Sequence, residues 1–87
     1  MDNDNWILYV KTRCPWCVEA TAYLRENGYD FEEVDVLHDA TAYKEMQRLS
    51  GQRYTPTLVI GDLMLADFDV DQLEDFIAEH ALTPPRV

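Results

Sequence analysis

The chain has 87 residues, 47% of them hydrophobic, which is enough for one small core and too little for two or for a separate lid domain. Seventeen acidic residues against seven basic ones give a net charge of −10, which repels phosphate backbones and anionic lipid and so removes nucleic acid and membranes as partners. No apolar run approaches the ~18 residues of a membrane span and no basic leader opens the chain, so the expectation is a monomeric cytoplasmic domain over 1–87, ordered over about 5–81 with a frayed tail at 82–87.

Trp6-Ile7-Leu8-Tyr9-Val10 is an apolar, β-rich run, the pattern of a strand covered on both faces. Pro15 suits the first turn of a helix, where its missing N–H is not needed. That helix extends to about Asn27, with Cys17, Ala20, Thr21 and Leu24 on one face and Gly28 as its left-handed stop. Phe31 to Leu37 reads as a second strand, Val34 and Val36 on one side and Glu33 and Asp35 on the other. Asp39 caps a second helix whose buried stripe is Ala42, Met46 and Leu49 and which ends at Ser50-Gly51. A helix of this length between two strands implies a βαβ unit with parallel pairing. Thr57–Ile60 and Leu63–Ala66 are strands joined by a Gly61-Asp62 hairpin turn, hence antiparallel. A last helix starts near Asp69 or Asp71, the latter paired with Glu74, and buries Leu73, Phe76 and Ile77. The order βαβ, α, ββα predicts an α/β fold with a four-stranded mixed sheet flanked by helices.

Both cysteines lie in one Cys-x-x-Cys, at the carboxyl end of the first strand, where open α/β sheets place their ligands. In a reducing compartment such a pair is catalytic or metal-binding more often than it is a staple, and a loop of four residues restrains the unfolded chain little. A thiol attacks a disulfide only as thiolate, of which an ordinary cysteine with a pKa of about 8.5 holds only about 3% at neutral pH. Orphan N–H groups at the helix start, together with Lys11 and Arg13, favour an anion at Cys14. Cys17 lies one turn deeper on the same side, within disulfide reach, so Cys14 is the attacking thiol and Cys17 the resolving one. Pro15 holds the turn, while Trp16 either adds an aromatic rim or is exposed without a direct role. Tetrahedral zinc would need two further ligands, and His38 and His80 have neither partner cysteines nor paired spacing, so no metal is expected.

Lys11-x-x-Cys14-Pro15-Trp16-Cys17 resembles the Lys-x-x-Cys-Pro-Tyr-Cys of glutaredoxins, and Gly51-Gln52-Arg53-Tyr54-Thr55-Pro56 is similar to their Gly-Gln-Arg-Thr-Val-Pro segment. The resemblance runs through nearly the whole chain. It implies a thioredoxin-like (glutaredoxin) fold, a cis proline at Pro56, and a thiol-disulfide oxidoreductase with glutathione as reducing co-substrate, no covalently bound cofactor, and disulfide-bonded or glutathionylated proteins as substrates. Carried over position by position, Lys11 would meet a glutathione carboxylate, the backbone of Thr55 would pair with the tripeptide's cysteine like an added strand, and Arg53 would assist. The family's Gly-Gly-x-Asp falls on Ala66-Asp67-Phe68-Asp69, where Asp69 alone matches. Losing both glycines hinders close backbone approach to the γ-glutamyl end, and Asp67 adds a negative charge near a substrate carboxylate.

That departure, with Phe68 before an acidic helix start, also resembles redoxins that serve ribonucleotide reductase and are recharged by thioredoxin reductase. Glutathione use is the favoured expectation because of Lys11 and Gln52-Arg53. A third alternative is an iron–sulfur scaffold ligated by glutathione, although such relatives usually carry a single cysteine in a Cys-Gly-Phe-Ser context.

Overall fold

The computed structural model describes residues 5–84. Its elements run β1 (Trp6–Val10), α1 (Pro15–Glu26), β2 (Glu32–Asp35), α2 (Ala40–Ser50), β3 (Thr57–Ile60), β4 (Leu63–Ala66) and α3 (Val70–Glu79). The four strands form one mixed sheet in the order β2-β1-β3-β4. β1 pairs with β2 in parallel, as the intervening helix requires, and β1–β3 and β3–β4 are antiparallel. Among the described residues no helix is long and apolar enough to cross a membrane.

Strand alternation divides the core between the two faces of the sheet. Leu8 and Leu58 are cross-strand partners, and with Val10 and Ile60 they pack under Cys17, Ala20 and Leu24 of α1 and Leu73, Phe76 and Ile77 of α3. Tyr9 and Val59 point the other way and meet Met46 of α2, joined by Val36. The central strands are thus apolar on both sides, which explains the unbroken runs.

Helix ends account for much of the chain path. Gly28 (φ +81°) closes α1 by sending its N–H to the Arg25 carbonyl while the Tyr29 N–H returns to Leu24 at 2.9 Å, a Schellman ending. α3 ends in the same way, with Ala81 (φ +52°) bonded to Ala78 and Leu82 to Ile77. Leu82 therefore folds back onto the core and receives the Tyr29 hydroxyl on its carbonyl, contrary to the tail expected from 82; residues 85–87 of that tail lie outside the described residues. Alanine lacks the glycine signal, so this stop was not visible in the sequence.

Two further expectations change, and the choice between two caps is settled. β2 covers only 32–35, because the Asp35 carboxylate accepts the Leu37 N–H and its carbonyl accepts the His38 N–H, turning the chain before Leu37 can pair. Leu49 is 39% exposed, because α2 reaches the sheet through Met46 as its one fully buried side chain. α3 is capped by Asp69, whose carboxylate accepts the Gln72 N–H while the Gln72 side chain accepts the Asp69 N–H; the Asp71–Glu74 pair is not the cap. Phe68 before the cap and Leu73 in the first turn lie in the same buried cluster, the arrangement of a hydrophobic staple that selects the earlier start.

Candidate active site

Cys14 is itself the N-cap of α1. Arg13 before it takes a left-handed backbone (φ +65°), Cys14 is extended, and Pro15 begins the helix. The consequence is that the Cys17 N–H points at the Cys14 sulfur, 3.2 Å away, so a donor left orphaned by the helix start is spent on a group able to become a thiolate. Thr55 lies against the same sulfur: its hydroxyl donates at 3.7 Å and its carbonyl is 3.9 Å away. The Thr55–Pro56 peptide bond is cis, as the resemblance implied. Both thiols are free; Cys14 is partly exposed, while Cys17 is 3% exposed.

Burial pushes the Cys17 thiol up to about 11, with the hydrogen bond to Cys14 the next contributor. The pair is therefore asymmetric, an accessible sulfur supplied with N–H and O–H donors above a buried one that keeps its proton. The folded chain holds that proton where an unfolded chain would have lost it, so this group lowers stability as pH rises through the ordinary thiol range toward 11 and has no such effect below that range. On native protein near neutral pH, iodoacetamide is expected to label one thiol per chain, Cys14, with Cys17 modified only after denaturant opens the fold. Peptide mass spectrometry reads this directly, and two labels on native protein would contradict it.

Around the sulfurs the structure gathers residues that lie far apart in sequence. Lys11 at the end of β1 donates its ammonium to the Arg53 carbonyl at 3.0 Å, and the Tyr43 hydroxyl of α2 donates to the same carbonyl at 3.1 Å. The Lys11 ammonium also sits 5.2 Å from the Tyr43 ring centroid, in cation–π range. Gln52 braces the same loop by accepting the Tyr54 N–H and donating to Ser50 and Thr57 hydroxyls. Gln52 belongs to the segment that resembles glutaredoxins, whereas no motif in the sequence marks Tyr43 as a site residue. Tyr43 lies three residues before Met46, on the inward side of α2, and that spacing is the one local sign of it.

Another unforeseen cluster stands at the foot of the loop. The Thr12 hydroxyl donates to Asp35, with His38 Nε2 3.3 Å from that hydroxyl, and this bond is the main reason the Asp35 carboxyl is held below the usual range. It ties the loop before Cys14 to the end of β2.

Trp16 and Tyr54 are 56% and 53% exposed, one on each cysteine-bearing or proline-bearing segment. Trp16 forms one wall of a shallow groove whose other residues are Asp67, Phe68, Asp69 and Gln72, so Asp69, capping α3, also borders the site. Asp67 donates its backbone N–H to the Pro56 carbonyl at 2.8 Å. Arg53 directs its carbonyl to Lys11 and Tyr43, and the residue is exposed.

A partly exposed sulfur, a buried partner one turn on and flanking hydrogen bonds make an arrangement suited to thiol–disulfide exchange. Comparison with known proteins agrees. The family model described as "Glutaredoxin" matches residues 7–65. A glutaredoxin of Neisseria meningitidis is 36% identical over 62 residues, 70% of this chain and 73% of that protein. An uncharacterized glutaredoxin-like 8.6 kDa protein in the rubredoxin operon of Clostridium pasteurianum is 30% identical over 70 residues, 80% of this chain and 93% of the relative. Among solved structures, the glutaredoxin-like NrdH-redoxin of Escherichia coli, described as having a thioredoxin-like activity profile, matches at a TM-score of 0.69 with 27% identity, covering 82% of this chain and 92% of the other.

Proposed function

The chain belongs to the glutaredoxin family and is a thiol-disulfide oxidoreductase, and within that activity we propose that glutathione recharges the Cys14/Cys17 pair in the cytoplasm, for the reduction of glutathione mixed disulfides and protein disulfides. The observation that carries this reading is that the segment whose Thr55 carbonyl lies at the Cys14 sulfur also holds the Lys11 ammonium, at the carbonyl of Arg53 two residues before Thr55. A cysteinyl peptide lying along Thr55 would have a cation within reach of a carboxylate.

The Cys14 thiolate attacks the glutathione sulfur of a mixed disulfide, forming a Cys14–glutathione disulfide and releasing the protein thiolate, which takes a proton from solvent. A second glutathione, as thiolate, attacks the glutathione sulfur of that adduct; Cys14 leaves as thiolate and oxidised glutathione departs. With a protein disulfide the adduct joins Cys14 to the substrate. Cys17 then attacks the Cys14 sulfur and gives up its proton, and the departing substrate sulfur takes one, so that two electrons pass from the dithiol to the substrate.

A second reading rests on Ala66 and Asp67 in place of two glycines. A carboxylate there opposes an anionic tripeptide, which supports a redoxin recharged by thioredoxin reductase, in keeping with the likeness to NrdH-redoxin, and serving ribonucleotide reductase. NADPH oxidation with a glutathione mixed disulfide as substrate tests both. Turnover with glutathione and glutathione reductase is expected; turnover with thioredoxin reductase alone would replace the first reading by the second.

A further inference from the structure

The surroundings of Cys14 are electrically lopsided. On the side of α2 stand Lys11, at the Tyr43 ring, and Arg53, beside Gln47; on the side of Trp16 the groove is lined by Asp67 and Asp69 and by no basic residue among those described. Asp69 has one carboxylate oxygen committed to the Gln72 N–H. Asp67 is exposed, and its backbone is locked to the redox centre by a short chain of contacts, its own N–H on the Pro56 carbonyl and Thr55, the preceding residue, on the Cys14 sulfur. Its left-handed backbone (φ +55°) is a conformation that Asp and Asn tolerate better than most residues, so an acidic side chain can occupy a place where the backbone favours glycine. A group that a disulfide carries beyond its sulfur on the Trp16 side would lie over the groove that Asp67 borders.

We propose that Asp67 is a specificity-determining residue that admits disulfides bearing a cation on the groove side and turns away those bearing an anion there. The reaction is the exchange already described: the dithiol and one disulfide become the Cys14–Cys17 disulfide and two thiols, with two electrons passing to the substrate. The inference needs no assumption about the reductant. Its partners are small amino-disulfides and protein disulfides with a lysine or arginine close to the reactive sulfur.

The test is a single turnover of fully reduced protein, with no glutathione and no reductase present, followed by tryptophan fluorescence, Trp16 being two residues from Cys14. Cystamine, with cationic arms, is compared with dithiodiglycolate, with anionic arms. Asp67→Asn and Asp67→Gly remove the charge and keep a residue suited to positive φ, so either variant serves if the other fails to fold. Both are expected to cut the cystamine-to-dithiodiglycolate rate ratio by about fivefold or more at low salt, the scale of a unit charge acting across a few ångströms of solvent, and to raise the dithiodiglycolate rate in absolute terms. Glu79→Gln removes the same charge from the far end of α3 and reports the effect of net charge alone. The proposal is overturned if Glu79→Gln shifts the ratio as much as Asp67→Asn does, or if the Asp67 variants slow both disulfides equally.

Discussion

Replacing Cys14 with Ser is expected to abolish reduction of every disulfide, while replacing Cys17 with Ser is expected to separate two activities. Cys14 is the accessible sulfur and the one that receives the Cys17 N–H and the Thr55 hydroxyl; a serine hydroxyl in that place keeps the hydrogen bonds and loses the nucleophile. Cys17 is 3% exposed and holds its proton to about 11, so it cannot stand in as the attacking group on a bulky substrate near neutral pH. Its use is to attack an adduct already formed on Cys14. Where the adduct is with glutathione, a second glutathione can release it, and Cys17→Ser is expected to retain most of the wild-type rate. Where the adduct is with a protein, an intramolecular thiol acts at an effective concentration that free thiols do not reach, and the rate is expected to fall by about tenfold or more. Steady-state rates with one substrate of each kind decide this. Equal loss of both in Cys17→Ser would show that the internal disulfide lies on every route.

Leu58→Ala is expected to cost about 2–5 kcal/mol, a large part of the 5–15 kcal/mol available to a domain, with a chain this short near the lower end. Leu58 is 0% exposed on central strand β3, opposite Leu8, in the cluster that holds α1 and α3 to the sheet. Truncation removes its burial and leaves a cavity between two helices whose positions bring Cys14 and the α3 groove together. Met64→Ala, on edge strand β4 with Met64 36% exposed, is expected to change stability by less than about 1 kcal/mol. Urea midpoints measure both, and a Leu58→Ala loss no larger than that of Met64→Ala would show that the core is not organised around this contact.

The redox pair, the start of α1, the hairpin and most core positions were legible in the sequence because each depends on residues within about four places of one another. Cys14, Pro15 and Cys17 need only the geometry of a first helical turn, and the runs 6–10 and 57–60 need only burial on both faces. Local pattern also left real ties. Asp69 and Asp71 were both acceptable caps, and the choice fell to Phe68, which enters the core before the first. Leu49 had the right helical spacing but stays 39% exposed, and Ala81 ended α3 without the glycine that marks such a stop. What only the tertiary structure decided is the set of contacts around the sulfur: Lys11 and Tyr43 on the Arg53 carbonyl, Thr55 on Cys14, Asp67 on Pro56. Lys11 and Arg53 are 42 positions apart, and their meeting follows from β1 and β3 lying side by side with α2 packed across them, which no local spacing encodes. The amino-acid sequence by itself thus determined which sulfurs react, and the packing of the sheet against its helices decided which charges a substrate meets there.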